Sequence, residues 1–308
     1  MSKGKVGVIG AGVIGLSWSA AFAASGYNVV VSDPRDDLQD ALDKFIPMFV
    51  PQVPGFDGDV AEAVARVKPA SSLANAVEGA VAVQENGPET PDFKQTIFAQ
   101  LEEVAPTDCL FLSSSSGIPP AVQGEKLKDP NRIVIGHPFN PPHILPLVEV
   151  VGSENTPEDL VNRTLGFYND LGKKAVRLHK AVPGFVANRL QFVLVDEAVR
   201  LVEQGVVSVK ELDEIVEASL GIRWASIGPL LAGNFGGGPG GLRHILEHVF
   251  SALAKGMGRE VYSSELVEKL GQQCDEAYPQ DKLGQLAAVR DARQSAIIAD
   301  HQKHPLNT

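Results

Sequence analysis

A glycine-rich turn between a predicted strand and a predicted helix is the feature that most constrains this chain. The apolar run Lys5–Ile9 ends in Gly10-Ala11-Gly12-Val13-Ile14-Gly15, and a helical pattern follows. In such a turn the first glycine permits a tight bend, the second lets the backbone approach a pyrophosphate, and the third lets helix and strand pack closely. The helix N-terminus adds free N–H groups and a positive dipole end. The pattern predicts a β-α-β unit that binds a dinucleotide; glycines without this context would fit an ordinary turn.

A carboxylate follows at the end of the next predicted strand. The strand Tyr27–Ser32 leads into Asp33, about 20 residues after the glycines, where an acidic side chain can bond the adenosine ribose hydroxyls. A carboxylate at this position repels a 2′-phosphate, so Asp33 favours NAD over NADP. Arg35 lies close enough to complicate that preference, although a solvated loop arginine is the simpler interpretation. The predicted cofactor is NAD.

Composition and charge argue against several classes of protein. The 308 residues suffice for two domains with substantial cores. A net charge of −11 argues against a nucleic-acid or anionic-membrane surface. Only two cysteines occur, Cys109 and Cys274, so no disulfide framework is expected and a reducing compartment fits. The predicted strand at Lys5 leaves no room for a signal peptide, and no apolar run has membrane-spanning length, so a cytoplasmic location is expected. No metal site is predicted.

Strand-like and helix-like segments alternate through the first part of the chain. This alternation predicts an α/β fold, a Rossmann-type doubly wound and mainly parallel sheet. The predicted strands are Val6–Ile9, Asn28–Ser32, Ala80–Glu85, Leu110–Ser113, Arg132–His137, Leu147–Val151 and Ala175–Leu178. Segments 59–68 and 121–127 are among the predicted helices.

From Val182 onward the pattern is helical only. Long helical periodicities cover residues 185–204, 210–220, 242–255 and 263–278. We therefore predict a NAD-binding domain over residues 1–181 and an all-helical domain over residues 182–308. The run Gly236–Gly241 is interpreted as a flexible connection, because no strand precedes it as a phosphate-binding loop would require.

Two sets of polar residues follow predicted strands and could carry chemistry. Ser113–Ser116 comes directly after the strand Leu110–Leu112, at the edge where ligands bind in open α/β sheets. The alternative is a serine-rich loop that caps its own backbone. His137 ends another strand, and the turn Asn140-Pro141-Pro142 returns the chain as a strand that carries Glu149.

The pair His137 and Glu149 predicts a general base. A carboxylate paired with an imidazole fixes its tautomer and produces a base suited to neutral pH. A histidine at a strand end is more often structural, but a carboxylate inside an apolar strand needs a partner. Asn188, near the start of the first helix after Pro183, could offer an amide to a substrate oxygen or be a polar helix-start residue. Glu89 and Lys94, on the loop and helix after the strand Ala80–Glu85, are also candidates for the site; their alternative interpretation is as surface charges.

Several motifs together resemble one enzyme superfamily. They are the Gly10–Gly15 turn, Leu112–Ser116, His137–Pro142 running into Pro146–Val150, Gly184–Gln191, and Gly221–Ala225 before Ile227-Gly228-Pro229. These segments resemble the 3-hydroxyacyl-CoA dehydrogenase superfamily, most closely its lambda-crystallin branch, the L-gulonate 3-dehydrogenases. The resemblance runs from Lys5 to about Gly228.

The resemblance implies NAD-dependent oxidation of a secondary alcohol. His137 matches the family's general base and Glu149 its partner, while Ser116 and Asn188 match the residues that bind the substrate oxygen. It also implies a homodimer formed through the helical domain, which binds substrate. The predicted cofactor contacts are Gly10, Gly12, Val13, Ile14, Gly15, Asp33, Glu89, Lys94, Ser114 and Asn140.

One departure from the family bears on the substrate. Acyl-CoA members carry a long, lysine-bearing helical hairpin after the second strand, but here prolines interrupt that segment and Lys44 is its only lysine between Asp36 and Arg66. A small free hydroxy acid such as L-gulonate is therefore expected, with Arg223 as the hypothetical carboxylate clamp or a structural arginine. A 3-hydroxyacyl-CoA thioester and carnitine are the alternative substrates. A non-catalytic crystallin-like or NAD-sensing protein is the alternative class, against which the complete polar set weighs.

Overall fold

The computed structural model describes residues 2–305 and places them in two compact units, one ending at Val193 and the other beginning at Leu194. The first unit contains an eight-stranded sheet in the order β3-β2-β1-β4-β5-β6-β7-β8. All adjacent strands are parallel except β6 and β7, which are antiparallel. The strands are β1 Lys5–Ile9, β2 Asn28–Ser32, β3 Val67–Pro69, β4 Ala80–Glu85, β5 Leu110–Ser113, β6 Ile133–Pro138, β7 Leu147–Val151 and β8 Lys174–Arg177. The predicted Rossmann-type sheet is confirmed.

Helices cover both faces of this sheet, because strand side chains alternate between two apolar clusters. Leu110 and Leu112 of β5 join the cluster that contains Trp18 and Phe22, whereas Phe111 joins the cluster that contains Phe98. The helices are α1 Val13–Ala24, α2 Leu38–Phe49, α3 Val60–Ala65, α4 Leu73–Val77, α5 Pro91–Val104, α6 Pro120–Gln123 and α7 Glu158–Asn169. Helix α8, Ala187–Glu203, contains the division between the two units.

Two predicted helices in the first unit are wrong in extent. The helix expected over residues 59–68 is α3, which Asp59 caps by accepting the N–H groups of Ala61 and Glu62, and the chain then enters strand β3 beside β2. Pairing with a neighbouring strand overrides the helical pattern here. The helix expected over residues 121–127 is the single turn α6, which ends at Gly124 against the backbone of Pro130.

The second unit is helical throughout its described residues, as predicted. Its helices are α9 Val209–Val216, α10 Ile222–Ser226, α11 Pro229–Gly236, α12 Gly241–His244, α13 Ser251–Gly256, α14 Ser264–Ala277 and α15 Leu283–Lys303. Leu242, Leu246, Val267 and Cys274 form its buried cluster. The glycine run that we expected to be a loose connection is a turn of helix, Gly238–Gly240, and the Asn234 side chain fixes its end by accepting the N–H of Leu242.

The lengths and apolar character of the helices within residues 2–305 bear on membrane insertion. None of them alone combines the length and apolar character needed to cross a membrane. One pair of helical segments, Val209–Ser226 and Pro229–Gly236, is together long and apolar enough, but it is bent by 97° at the break between them.

Candidate active site

The glycine turn has the geometry that a pyrophosphate would need. Gly10 has φ +92°, and a Cβ there would stand 2.9 Å from the backbone of Asn86, while a Cβ at Gly15 would collide with the carbonyl oxygen of Gly10. At Gly12, by contrast, a Cβ would meet nothing within 4 Å. Helix α1 begins at the next residue, Val13, with no side-chain cap and no acidic residue in its first turn. Its first N–H groups therefore remain available to an anion.

Asp33 lies where β2 ends, beside the glycine turn. Its carboxylate accepts the N–H of Ala11 at 2.6 Å and that of Arg35 at 2.9 Å. A carboxylate offers about four acceptor positions, so two further hydrogen bonds remain for ribose hydroxyls. These residues fit a bound NAD.

A cavity of about 410 Å³ opens in the first unit. It is lined by Ile14, Ser114, Ser116, His137, Pro138, Phe139, Asn140, Asn188 and Gln191. Six of these residues are among those predicted from the sequence to bind cofactor or substrate or to act in catalysis. The cavity brings the start of α1, the serine loop after β5, the end of β6 and the start of α8 to one place.

His137 and Glu149 face each other across the antiparallel pair β6 and β7. The His137 Nδ1 atom lies 2.9 Å from Glu149 Oε2, and both residues are buried. Because an ionised carboxylate only accepts hydrogen bonds, Nδ1 carries the proton of the neutral ring and Nε2 keeps its lone pair. The ring of Phe185 packs against the imidazole, with the centroids 5.2 Å apart. The pair thus holds a base in one orientation at the cavity.

Glu149 is held as a carboxylate by donors from two directions. Its second oxygen, Oε1, accepts the N–H groups of Val186 and Ala187 at 2.9 and 3.0 Å, where helix α8 begins. Burial alone would raise the pKa of Glu149, but the hydrogen bonds from His137, Ala187 and Val186 outweigh it and the pKa is lowered. The same turn that supports Glu149 leads directly into Asn188. Phe185, buried with φ +47°, sets the direction of that turn.

Glu89 binds the serine loop that carries Ser116. Its Oε1 atom accepts the Ser115 hydroxyl at 2.5 Å and the N–H groups of Ser116 and Gly117 at 3.0 and 3.1 Å. Burial would raise the pKa of Glu89, yet these donors and nearby Lys94 lower it. The carboxylate therefore fixes the turn on which Ser116 stands.

Lys94 is buried, which excludes the alternative of a surface charge, and its contact with the cofactor stays a prediction. Its side chain is 1% exposed, and Nζ donates to Glu85 Oε2 at 2.7 Å and to the Gly87 carbonyl at 3.3 Å. Glu89 Oε2 is a further 3.5 Å contact. The amine is thus surrounded by protein acceptors.

Ser114 uses its hydroxyl inside the protein. The Oγ atom donates to Asn86 Oδ1 at 2.7 Å and accepts from Gln84 at 2.9 Å and from Trp18 at 3.1 Å. A hydroxyl has one proton and two lone pairs, so its capacity is filled. Ser114 borders the cavity, so its contact with the cofactor stays a prediction, while its hydroxyl links the ends of β4 and β5.

The remaining predicted residues differ in position. Val13 is two-thirds exposed at the start of α1, and Asn140 is exposed at the cavity rim. Arg223 lies in the second unit, on α10, where it lines a cavity of about 540 Å³ with Trp224, Phe235 and Arg290. No group of His, Cys, Asp and Glu side chains suited to a metal ion occurs among residues 2–305.

Comparison with known proteins gives a family for both parts of the chain. The sequence profile of the 3-hydroxyacyl-CoA dehydrogenase NAD binding domain matches residues 5–182, and that of the 3-hydroxyacyl-CoA dehydrogenase C-terminal domain matches residues 184–275. The chain belongs to the 3-hydroxyacyl-CoA dehydrogenase family. The predicted superfamily is therefore confirmed, and the protein is an oxidoreductase that uses NAD and acts on a hydroxyl group.

Relatives within this family are named for different activities. A 3-hydroxyacyl-CoA dehydrogenase of Gibberella moniliformis is 36% identical over 97% of this chain and 95% of its own length. An L-carnitine dehydrogenase of Streptomyces coelicolor is 37% identical over 93% of this chain and 91% of its own length. Among solved structures, the 3-hydroxyacyl-CoA dehydrogenase of Archaeoglobus fulgidus has a TM-score of 0.73 at 25% identity, covering 96% of this chain and 98% of that one.

Sequence reasoning missed three buried ionisable residues of this family member. Glu85 pairs with Lys94, His143 bonds Ser17 and Gln52, and the Lys173 amine donates to the carbonyls of Pro142 and Leu145. A carboxylate at the end of the apolar strand β4 is the one signal that was present, the same signal that drew attention to Glu149. His143 and Lys173 have partners far away in sequence, which no local pattern reveals.

Proposed function

We propose that this enzyme oxidises the 3-hydroxyl of a small free hydroxy acid to the 3-keto acid. The observation that carries the proposal is the His137–Glu149 pair, with its Nδ1–carboxylate contact of 2.9 Å, at a cavity that Ser116 and Asn188 also line. A base, a hydroxyl and an amide around one space are the groups that alcohol oxidation requires.

The roles of these residues follow from their chemistry. His137 takes the hydroxyl proton at Nε2, because Nδ1 is committed to Glu149. The imidazolium that forms is stabilised by the Glu149 carboxylate, which the α8 N–H groups keep ionised. Ser116 and Asn188 donate to the substrate oxygen as it gains carbonyl character. Bound NAD supplies the hydride acceptor.

The preference for a free acid rests on the segment after β2. In place of a projecting lysine-bearing hairpin, α2 packs on the core through Leu38, Ala41, Leu42 and Ile46. Pro47 lies inside that helix, and Lys44 is the only lysine between Asp36 and Arg66. The cationic grip that a CoA phosphate needs is therefore weak in this segment.

Two free acids are candidates for the substrate. The motif resemblance favours L-gulonate, whereas the L-carnitine dehydrogenases among the relatives favour L-carnitine. A 3-hydroxyacyl-CoA thioester is the competing substrate, which the Gibberella relative supports. Arg223 is the proposed carboxylate clamp, supported by its exposed position and by the absence of any ion pair for it within residues 2–305.

A screen of NADH absorbance tests the proposal directly. The enzyme is given NAD with L-carnitine, L-gulonate, 3-hydroxybutyrate or 3-hydroxybutyryl-CoA, and His137→Ala serves as the inactive control. We expect the highest kcat/KM with a free acid. A clear preference for the thioester would overturn the free-acid proposal and leave the dehydrogenase assignment intact.

The clamp is tested separately by comparing a free acid with its amide. Arg223→Ala should raise KM for the acid about tenfold, the effect of one charge-assisted hydrogen bond, with little change for the amide. Arg290→Ala, in the same cavity but paired with Asp291, is the matched control. Equal losses for acid and amide would remove the clamp.

A homodimer is part of the same proposal. Helix α8 has no buried residue in the single chain and exposes five large apolar side chains, as helices at interfaces do. They are Leu190, Phe192, Val193, Val195 and Val199. Light scattering should give the mass of two chains, and a monomer at micromolar concentration would contradict this. The cytoplasmic location, the domain division at residue 182 and the substrate-binding role of the helical domain stay predictions.

A further inference from the structure

The loop after β2 holds a guanidinium beside the carboxylate expected to bind ribose. Asp33 accepts the N–H of Ala11, and the Arg35 Nη1 atom donates to the carbonyl of the same Ala11 at 3.3 Å. Both charged groups therefore bracket one residue of the glycine turn. Arg35 thus lies at the end of the cofactor site where NAD and NADP differ.

Asp37 occupies the donors with which Arg35 could bind a phosphate. Arg35 Nε and Nη2 donate to the two oxygens of Asp37 at 2.6 and 2.8 Å, a bidentate pair. The same planar fork is what recognises phosphate oxygens. While Asp37 holds it, the Nε and Nη2 donors are engaged and a carboxylate lies against the guanidinium charge.

The alternative contact for Arg35 is a known way to bind NADP. An arginine near the end of the second strand accommodates the 2′-phosphate in NADP-dependent dinucleotide-binding folds, whereas a lone carboxylate selects NAD. This chain has both residues, so Asp33 alone does not explain the selection. The guanidinium therefore has to be kept from a 2′-phosphate if NADP is to be excluded.

We propose that Asp37 is a specificity-determining residue for the cofactor, which excludes NADP by holding the Arg35 guanidinium away from a 2′-phosphate. Asp37 precedes α2 without making a side-chain cap bond, so its carboxylate is free for this contact. The proposal concerns the NAD site and is independent of which hydroxy acid the enzyme oxidises.

Dissociation constants for NADPH and NADH, measured by calorimetry on the full chain, test it. Asp37→Asn removes the charge and keeps a residue favoured at helix starts. We expect the ratio of NADPH to NADH affinity to rise about tenfold, the effect of one charge-assisted hydrogen bond. Asp37→Ser is a second variant that cannot chelate Arg35, and it should give the same shift.

Two matched variants separate release of Arg35 from a simple change of charge. Asp36→Asn removes the same charge one residue away, and Asp36 has no hydrogen bond or ion pair within the described residues. In Asp36→Asn the ratio of NADPH to NADH affinity should change less than about threefold, because exposed charges are screened. Arg35→Gln combined with Asp37→Asn should abolish the gain.

The opposite results would overturn the proposal. A shift with Asp36→Asn as large as that with Asp37→Asn would assign the effect to net charge. A gain that persists without Arg35 would remove the guanidinium as the phosphate ligand. An unchanged ratio in both Asp37 variants, with circular dichroism showing them folded, would show that Asp37 plays no part in selection.

Discussion

Two buried acid–base pairs lie in the first unit, and they differ in what surrounds the base. His137 lines the cavity and keeps Nε2 uncommitted, whereas the Lys94 amine is enclosed by Glu85, Gly87 and Glu89. The first pair can exchange a proton with a bound molecule. The second can only hold protein segments together.

The two carboxylates respond to burial in opposite ways. Hydrogen bonds outweigh burial at Glu149 and lower its pKa, while burial raises the pKa of Glu85 in spite of Lys94, the Gly87 N–H and the Ser113 hydroxyl. Glu149 has the start of a helix as a donor, which stabilises negative charge. A buried carboxylate therefore does not by itself indicate a catalytic site. The two pairs are distinguished by whether the partner of the carboxylate lines a cavity.

The largest expected effect is on turnover through the cavity pair. His137→Ala should lower kcat/KM about 10²–10⁴-fold, the usual contribution of a general base. NADH binding, measured by fluorescence titration, should change little, because the predicted base does not hold the dinucleotide. Turnover close to that of the unchanged enzyme would break the contrast between the two pairs.

The enclosed pair should show its effect in stability. Lys94→Met leaves Glu85 buried without its cation, and breaking a buried pair in this way costs about 3–5 kcal/mol. Urea unfolding measures the loss. Glu85→Gln added to Lys94→Met should recover part of it, since no unpaired charge remains. If Lys94→Met alone were as stable as the parent, a structural role for Lys94 would be contradicted.

The link between the enclosed pair and the cavity is Glu89. Glu89→Gln should loosen the turn that carries Ser116 and lower kcat about tenfold, as displaced catalytic groups do. A rise in the NADH dissociation constant instead, with kcat retained, would support the cofactor contact that the resemblance implies. Asp92→Asn is the control, because Asp92 is an exposed carboxylate nearby whose one ion pair within residues 2–305 is with Lys126.

The smallest expected effect is on how stability depends on pH, which should differ between Glu149 and Glu85. The lowered pKa of Glu149 gives stability that is present above its unfolded value of 4.5 and is lost as the pH falls. The raised pKa of Glu85 gives stability that is present below 4.5 and is lost as the pH rises.

Unfolding free energies at pH 7 and pH 4 test that difference. The deficit in unfolding free energy of Glu149→Gln relative to the parent should shrink on acidification, and that of Glu85→Gln should grow. The same sign for both variants would show that the two carboxylates are not distinguished by their surroundings.

The sequence predicts strands best where a continuous apolar run is bounded by turn residues. Ala80–Glu85 and Leu147–Val151 are predicted to the residue, and the return of the chain after His137 predicts its contact with Glu149. Strand Val67–Pro69 is missed because it is short and follows a helix directly, so only its pairing with β2 defines it.

The supporting contacts of the site are beyond local patterns. Ser17 and His143 are 126 residues apart, and Gln84 meets Tyr168 across 84 residues. Ser114 borders the cavity, but the role of its hydroxyl was not foreseen, because its partners are distant in sequence: Trp18 and Gln84 donate to it and Asn86 accepts from it. Residue type and strand ends indicate where a site lies; the folded chain decides which of its polar groups remain free.

A crystal structure of the enzyme with NADH and an unreactive analogue of the hydroxy acid tests the central claim most directly. The distance from His137 Nε2 to the oxygen at C3 of the analogue should be about 2.6–3.2 Å, the reach of a general base. Should that oxygen contact other groups while His137 Nε2 faces protein or bulk water, the imidazole is not the base.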